Sequence, residues 1–153
     1  MERELAYQTA KQELLWRTEG EWDLLANLSN ASAILNECME RINWVGFYFY
    51  KDEQLVLGPF QGRPACVRIQ IGKGVCGTAF AEDDTLVVPD VHAFPGHIAC
   101  DDRSRSEIVI PIRQNGQAVA VLDIDSPDPE RFDELDRRYL EEFVRLLETA
   151  CQW

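Results

Sequence analysis

EIVIPIRQNGQAVAVLDIDS, residues 107–126, is the stretch whose reading decides the fold. Glu107–Ile112 and Ala118–Ile124 are two apolar runs of strand length. Asn115-Gly116 lies between them, and this pair accepts the positive φ angles that a tight hairpin turn demands. The stretch therefore reads as an antiparallel hairpin, ended by Ser126-Pro127. Beyond it, Phe132–Ala150 places Leu135, Tyr139, Leu140, Phe143, Leu146 and Leu147 at helical spacing, which predicts an amphipathic terminal helix.

Toward the N-terminus the pattern repeats. Ile42–Tyr50 (INWVGFYFY) is rich in β-branched and aromatic residues and too short for a core helix, so it reads as a buried strand. Lys51-Asp52-Glu53 turns it into a second strand, Gln54–Phe60. Val67–Ile71 and Thr85–Val88 are further short strands. Between these two, Val75–Glu82 reads as a short helix after the turn Gly72-Lys73-Gly74. Two helices come first: residues 2–18, with Leu5, Leu14, Leu15 and Trp16, and a second from near Gly20 to about Arg41. Pro89–Arg103 (PDVHAFPGHIACDDR) has no regular period. A loop of this length is functional or disordered; with Val91, Phe94, Ile98 and Cys100 in it, it is expected to be ordered and packed. Hairpins in series with helices at both ends give α+β architecture, an antiparallel sheet with the N- and C-terminal helices on one face.

The 153 residues suit one domain, residues 1–153, and 46% hydrophobic content is enough to fill its core. The formal net charge is -12 and the 15 basic residues are scattered, which argues against nucleic acid and anionic membrane as partners. No run approaches the roughly 20 apolar residues of a membrane helix. The opening MERELAYQTAKQELLWR lacks the apolar segment of a secretory signal, so a cytoplasmic location is expected. In that reducing compartment the five cysteines, Cys38, Cys66, Cys76, Cys100 and Cys151, read as buried small hydrophobes, metal ligands or redox thiols. No CxxC pair supports zinc.

Chemistry concentrates in the middle and at the strand ends. Cys76 sits two residues after Gly74, where a helix N-terminus would lower a thiol's pKa. Cys100 lies beside Asp101 and Asp102, which raise its pKa unless they point away. Asp123 and Asp125 alternate, so they share a face of their strand and point away from the core if Leu122 and Ile124 face it. With the turn centred between Asn115 and Gly116, Glu107 is expected roughly opposite Ile124, bringing three carboxylates to one end of the sheet. Like charges so close need a cation or a shared proton. Trp44 and Tyr48 share a face and are either core aromatics or one wall of a pocket opposite those acids. His92 and His97 read as loop histidines with satisfied hydrogen bonds, and no metal is expected. Gly72-Lys73-Gly74 lacks the spacing of a phosphate loop.

NWVGFYF, LGPFQGRPACVRI, GKGVCGTAF, DVHAFPGHIACD, SEIVIPI and VLDIDSP, in this order from about Arg41 to Phe132, resemble the free methionine-(R)-sulfoxide reductases, enzymes with a GAF fold. Gln70 stands where that family often has proline, and Cys38 and Cys151 match none of its functional positions. The resemblance implies reduction of free methionine-(R)-sulfoxide without a cofactor and with thioredoxin as reductant. It makes Cys100 the attacking thiol, Cys66 its disulfide partner and Cys76 a further recycling cysteine. It makes Trp44 and Tyr48 the aromatic wall, and Glu107, Asp123 and Asp125 the polar side. A sulfoxide must be protonated or hydrogen-bonded on oxygen before its sulfur accepts a nucleophile, and a carboxyl kept protonated by acidic neighbours supplies that proton. Glu107 and Asp125 are accordingly expected near the sulfoxide and Asp123 near the substrate ammonium. A homodimer would use the exposed face of an N-terminal helix. Two rival readings are a ligand-binding GAF sensor and a redox-sensing or structural dimer whose cysteines never turn over.

Overall fold

The computed structural model describes residues 2–97 and 100–153. Its elements run α1 (Glu2–Thr18), α2 (Leu24–Cys38), β1 (Trp44–Lys51), β2 (Gln54–Gly62), β3 (Arg68–Gln70), α3 (Gly74–Glu82), β4 (Leu86–Val88), a one-turn 3-10 helix (Val91–Ala93), β5 (Ser106–Gln114), β6 (Gln117–Ser126) and α4 (Glu134–Ala150). The second helix is shorter than expected at both ends. Asp23 caps its start by accepting from the Ala26 N–H, and Arg41 turns to a positive φ of 58°, which a helix does not contain. Ile98, expected to pack within the long loop, lies outside the described residues. The loop's Val91 is fully buried.

The six strands form one antiparallel sheet in the order β3-β2-β1-β6-β5-β4. The β1–β2 and β5–β6 hairpins are local, but they are joined at the centre of the sheet by the long-range pair β1–β6. Alternation along these strands gives each face its own core. Val45 and Phe47 of β1, Ile108, Ile110 and Ile112 of β5, and Leu122 and Ile124 of β6 face α1, α2 and α4. Trp44, Tyr48, Val109 and Val121 face the other way and pack with Val75, Cys76 and Ala79 of α3 and with Val91. The helices at the two ends of the chain therefore cover one face, as expected, and α3 with Val91 and Phe94 covers the other. Among the described residues no helix is long and apolar enough to cross a membrane.

The Asn115-Gly116 turn forms as the sequence predicts, with φ angles of 54° and 80°. The register it starts does not continue. Gln114 pairs with Gln117 and Arg113 with Ala118, but Ile112 pairs with Ala120, so Val119 is an extra residue in β6. This β-bulge moves Glu107 from its expected place opposite Ile124 to a place opposite Asp125.

A buried ion network ties the ends of the chain together. Asp136 is fully buried in the first turn of α4, and its carboxylate accepts from Tyr7 Oη at 2.7 Å, Arg3 Nη1 at 3.1 Å and Arg131 Nη1 at 3.3 Å. It also closes the capping box of α4 by accepting from the Asp133 N–H. Removing it leaves the Arg131 guanidinium, only 3% exposed, without its counter-charge. Asp136→Ala is therefore expected to cost about 3–5 kcal/mol of stability, seen as a lower midpoint of urea unfolding with an unchanged slope.

Candidate active site

The site lies on the α3 side of the sheet, where β1, β5 and β6 end beside the loop that carries Cys100. Cross-strand register places its parts. Trp44 stands opposite Asp125 on β6, and Asp125 stands opposite Glu107 on β5. Asp123, two residues earlier, shares their face. One small cavity of about 40 Å³ is lined by Trp44, Tyr48, Cys76, Cys100, Glu107, Asp123 and Asp125, together with Lys73, His97 and Ser104. Cys66 joins the group through a disulfide to Cys100, with Cα atoms 5.5 Å apart. The residues that the sequence singled out for chemistry thus converge on one place. His97 reaches it as well; its ring lies 6.0 Å from that of His92.

The aromatic pair does more than line a wall. Trp44 and Tyr48 stack at 5.9 Å, and both are buried. Trp44 Nε1 donates to the Arg63 carbonyl at 3.1 Å, and Tyr48 Oη donates to the Cys66 carbonyl at 3.0 Å. These bonds anchor the segment from Arg63 to Cys66, which follows β2 and lies outside the strands. Gly62 has a φ of 139°, and a Cβ there would come 2.5 Å from Trp44 Cδ1. Glycine is needed because the chain must pass flat against the indole. Burial, then the nearby Asp123 charge, pushes the Tyr48 hydroxyl up, so it remains a donor.

Among the described residues the three buried carboxylates have no ion-pair partner. Burial is the largest influence on each of Glu107, Asp123 and Asp125, and it pushes all three above the ordinary carboxylate range. For Glu107 the charges of Asp123 and Asp125 add to the rise. One buried oxygen of Asp123 and one of Asp125 have no hydrogen-bond partner. Such a group holds protons more tightly than ordinary carboxylates do and offers unfilled acceptors to a ligand that brings donors.

Cys76 departs from the expectation set by its position. It does lie in the first turn of α3, but burial and then the charges of Asp123 and Glu107 push its thiol up, not down. The helix terminus is outweighed because the thiol is buried and meets carboxylates. Its Sγ donates to Glu107 Oε2 across 4.0 Å, and with Glu107 and Asp123 it forms a compact buried set whose polar atoms lie within 4.8 Å of one another. We read that set as sharing protons and assign it no metal. Asp101 and Asp102 beside Cys100 are each held by a basic group: Asp101 bonds Arg103 and also Asn43, and Asp102 lies 3.6 Å from Arg63.

A family model for the GAF domain matches residues 22–151. The free methionine-R-sulfoxide reductase of Escherichia coli (strain K12) is 53% identical over 131 residues, which cover 86% of this chain and 79% of the relative. The chain belongs to the free methionine-R-sulfoxide reductases of the GAF domain family. Solved structures of this reductase family superpose closely on it. The X-ray structure of free methionine-R-sulfoxide reductase from Neisseria meningitidis in complex with its substrate gives a TM-score of 0.91 at 45% identity, covering 94% of this chain and 87% of that one. The reduced form of fRMsr from Staphylococcus aureus gives 0.92 at 52% identity, covering 94% of each chain.

Sequence reasoning gave Asn43 and Ser104 no role, although Asn43 opens the NWVGFYF motif, and read Asp101 only as a neighbour of Cys100. Each is an ordinary loop or strand-end residue, and only their hydrogen bonds to one another and to Asp125 bring them in.

Proposed function

We propose that this chain reduces free methionine-(R)-sulfoxide to methionine, with Cys100 as the attacking thiol. The observation that carries the reading is the Cys66–Cys100 disulfide set beside a cavity with an aromatic wall and three buried carboxyls. That is the oxidised end of a two-thiol reaction, placed where a small polar molecule with a cationic group would bind.

The steps follow from these groups. Trp44 and Tyr48 hold the substrate methyl group. Glu107 and Asp125 approach the sulfoxide, and a proton from this pair goes to the oxygen as the Cys100 thiolate attacks sulfur. That attack forms an S–S bond; the protonated oxygen then passes from the substrate sulfur to the Cys100 sulfur as the S–S bond breaks with its electron pair left on the substrate, so methionine leaves reduced by two electrons and Cys100 carries the oxygen as a sulfenic acid. The Cys66 thiol condenses with it, expelling water and forming the disulfide before further oxidation. A dithiol reductant such as thioredoxin in a reducing cytoplasm reopens the bond by exchange. Cys76 serves as a further recycling thiol.

Selectivity for the free amino acid comes from Asp123. Its unpartnered oxygen accepts the substrate ammonium, a group that a methionine residue inside a peptide lacks. The Pro89–Arg103 segment acts as a lid that excludes a peptide backbone. Pre-reduced protein mixed with each epimer of free methionine sulfoxide, and with a sulfoxide-containing peptide, tests this. One methionine per chain from the R epimer only, with loss of two free thiols, is the expected result. No release from either epimer with thiols intact would replace this reading with a ligand-binding GAF domain, and comparable reduction of the peptide would remove the role given to Asp123.

A further inference from the structure

A chain of hydrogen bonds reaches Asp125 from the loop that carries Cys100, and each link has only one direction. Asp101, next to Cys100, is held as a carboxylate: burial works against this, but the Arg103 guanidinium and backbone N–H both donate to it and keep it below the ordinary range. An ionised carboxylate only accepts, so the Asn43 side chain must turn its amino group, not its carbonyl, toward Asp101. Nδ2 lies 2.9 Å from Asp101 Oδ2. The second proton of that amino group points to Ser104 Oγ at 3.2 Å. Asn43 Oδ1 is buried without a partner, so the donors alone set the amide's orientation. Ser104 has one proton. Because it accepts from Asn43, it gives that proton to Asp125 Oδ2, 3.0 Å away. Asn43 is itself fixed, since its N–H bonds the Asp125 carbonyl at 2.9 Å.

We infer that Asn43 and Ser104 are positioning residues that decide which carboxyl of the facing pair carries the acid proton: Asp125 ionises before Glu107, so Glu107 is the acid of the reaction. Asp125 receives a donated hydrogen bond that favours its charged form. Opposite it, Glu107 faces the charges of Asp125 and Asp123 from β6, which keep a proton on it, and its donor from α3, the Cys76 thiol at 4.0 Å, is a weaker one than the Ser104 hydroxyl at 3.0 Å. The remaining titratable groups around the cavity are Tyr48, Lys73 and His97. The same chain locks the Cys100 loop to the acid, since Asp101 follows the nucleophile directly and the Ser104 N–H bonds the Asp101 carbonyl.

The inference rests on the proposed reaction, but its first test does not. Carboxyl ¹³C NMR of the free reduced protein follows Glu107 and Asp125 separately, with Glu107→Gln and Asp125→Asn used only to assign the signals. The glutamate signal is expected to titrate above the ordinary carboxylate range and after the Asp125 signal. In Ser104→Ala the two midpoints should approach or exchange, each moving by about one pH unit, the scale of a hydrogen bond to a carboxylate. Asn43→Ala should move them the same way, and Ser104→Thr should keep the native order. Single-turnover methionine release then falls as pH rises through the Glu107 midpoint, because the acid must be protonated. Ser104→Ala should slow that release about tenfold at neutral pH with KM within about twofold, and Ser104→Thr should restore it. An Asp125 signal that titrates after Glu107 in the wild-type protein, or midpoints that Ser104→Ala leaves in place, would overturn the inference. Absence of sulfoxide reduction with the predicted titration order would instead count against the proposed reaction.

Discussion

Replacing Cys100 with serine is expected to abolish methionine release even in a single round, a loss of more than about a thousandfold. The argument is one of acidity and of electrons. A serine hydroxyl is not ionised at neutral pH, and its oxygen cannot take the sulfoxide oxygen and give up two electrons as a thiolate does. Neither remaining thiol near the cavity substitutes. Cys66 sits on the segment anchored by Trp44 and Tyr48. Cys76 is buried against Glu107 and Asp123, with its thiol pushed up by that burial and those charges. The variant should fold normally, because Cys100 lies on a loop and only its sulfur is changed. Thermal unfolding under reducing conditions should show a Tm near that of the wild-type protein, while quenched single-turnover assays show no methionine. Several turnovers by this variant with thioredoxin present would remove Cys100 from its assigned place.

The second large effect is expected from Cys66→Ser, and it has a different shape. The first reaction needs only Cys100, so one methionine per chain should appear at close to the wild-type rate. The sulfenic acid then has no adjacent thiol to meet. In the native protein the two cysteines are near enough to bond with Cα atoms 5.5 Å apart. Cys76 is the only other thiol lining the cavity, and a protonated thiol is a poor nucleophile. Turnover with thioredoxin should therefore stall after the burst, by roughly a hundredfold or more in steady state. A sulfenic-acid trapping reagent followed by mass spectrometry should place one adduct on Cys100. Undiminished steady-state turnover would mean that another thiol resolves the intermediate. The two variants together separate attack from resolution, which no single loss of activity does.

Much of this was legible in the chain itself. The alternation in Glu107–Ile112 and Ala118–Ile124, with Asn115-Gly116 between them, determines a hairpin, because side chains on a pleated strand must alternate and this turn accepts positive φ. The same alternation puts Asp123 and Asp125 on one face and Leu122 and Ile124 on the other. Trp44 and Tyr48 share a face for the same reason. Element ends were less legible. The second helix stops at Cys38 and not near Arg41, because its end depends on how the chain turns into β1. The effect of a helix start on Cys76 was legible too, but the opposing burial was not, since that depends on the carboxylates of two distant strands.

What only the tertiary structure decided is which face Glu107 occupies. Read from the turn alone, Glu107 falls opposite Ile124 and would point into the core beneath the helices. The extra residue Val119 shifts the register by one, sets Glu107 opposite Asp125, and so turns it to the side of Asp123 and Cys76. Nothing in the local sequence demands that bulge. It is held from outside the hairpin: Glu148 of α4 accepts from the Arg113 N–H at 2.7 Å, and the Arg113 guanidinium is tied to Asp83 at the end of α3. The sequence by itself determined the strands, the turn and the acidic and aromatic residues, because these follow from local periodicity and backbone preference. Their meeting in one buried site was decided by contacts between elements far apart in the chain, where a ladder irregularity becomes stable only when a distant side chain satisfies the backbone group near it.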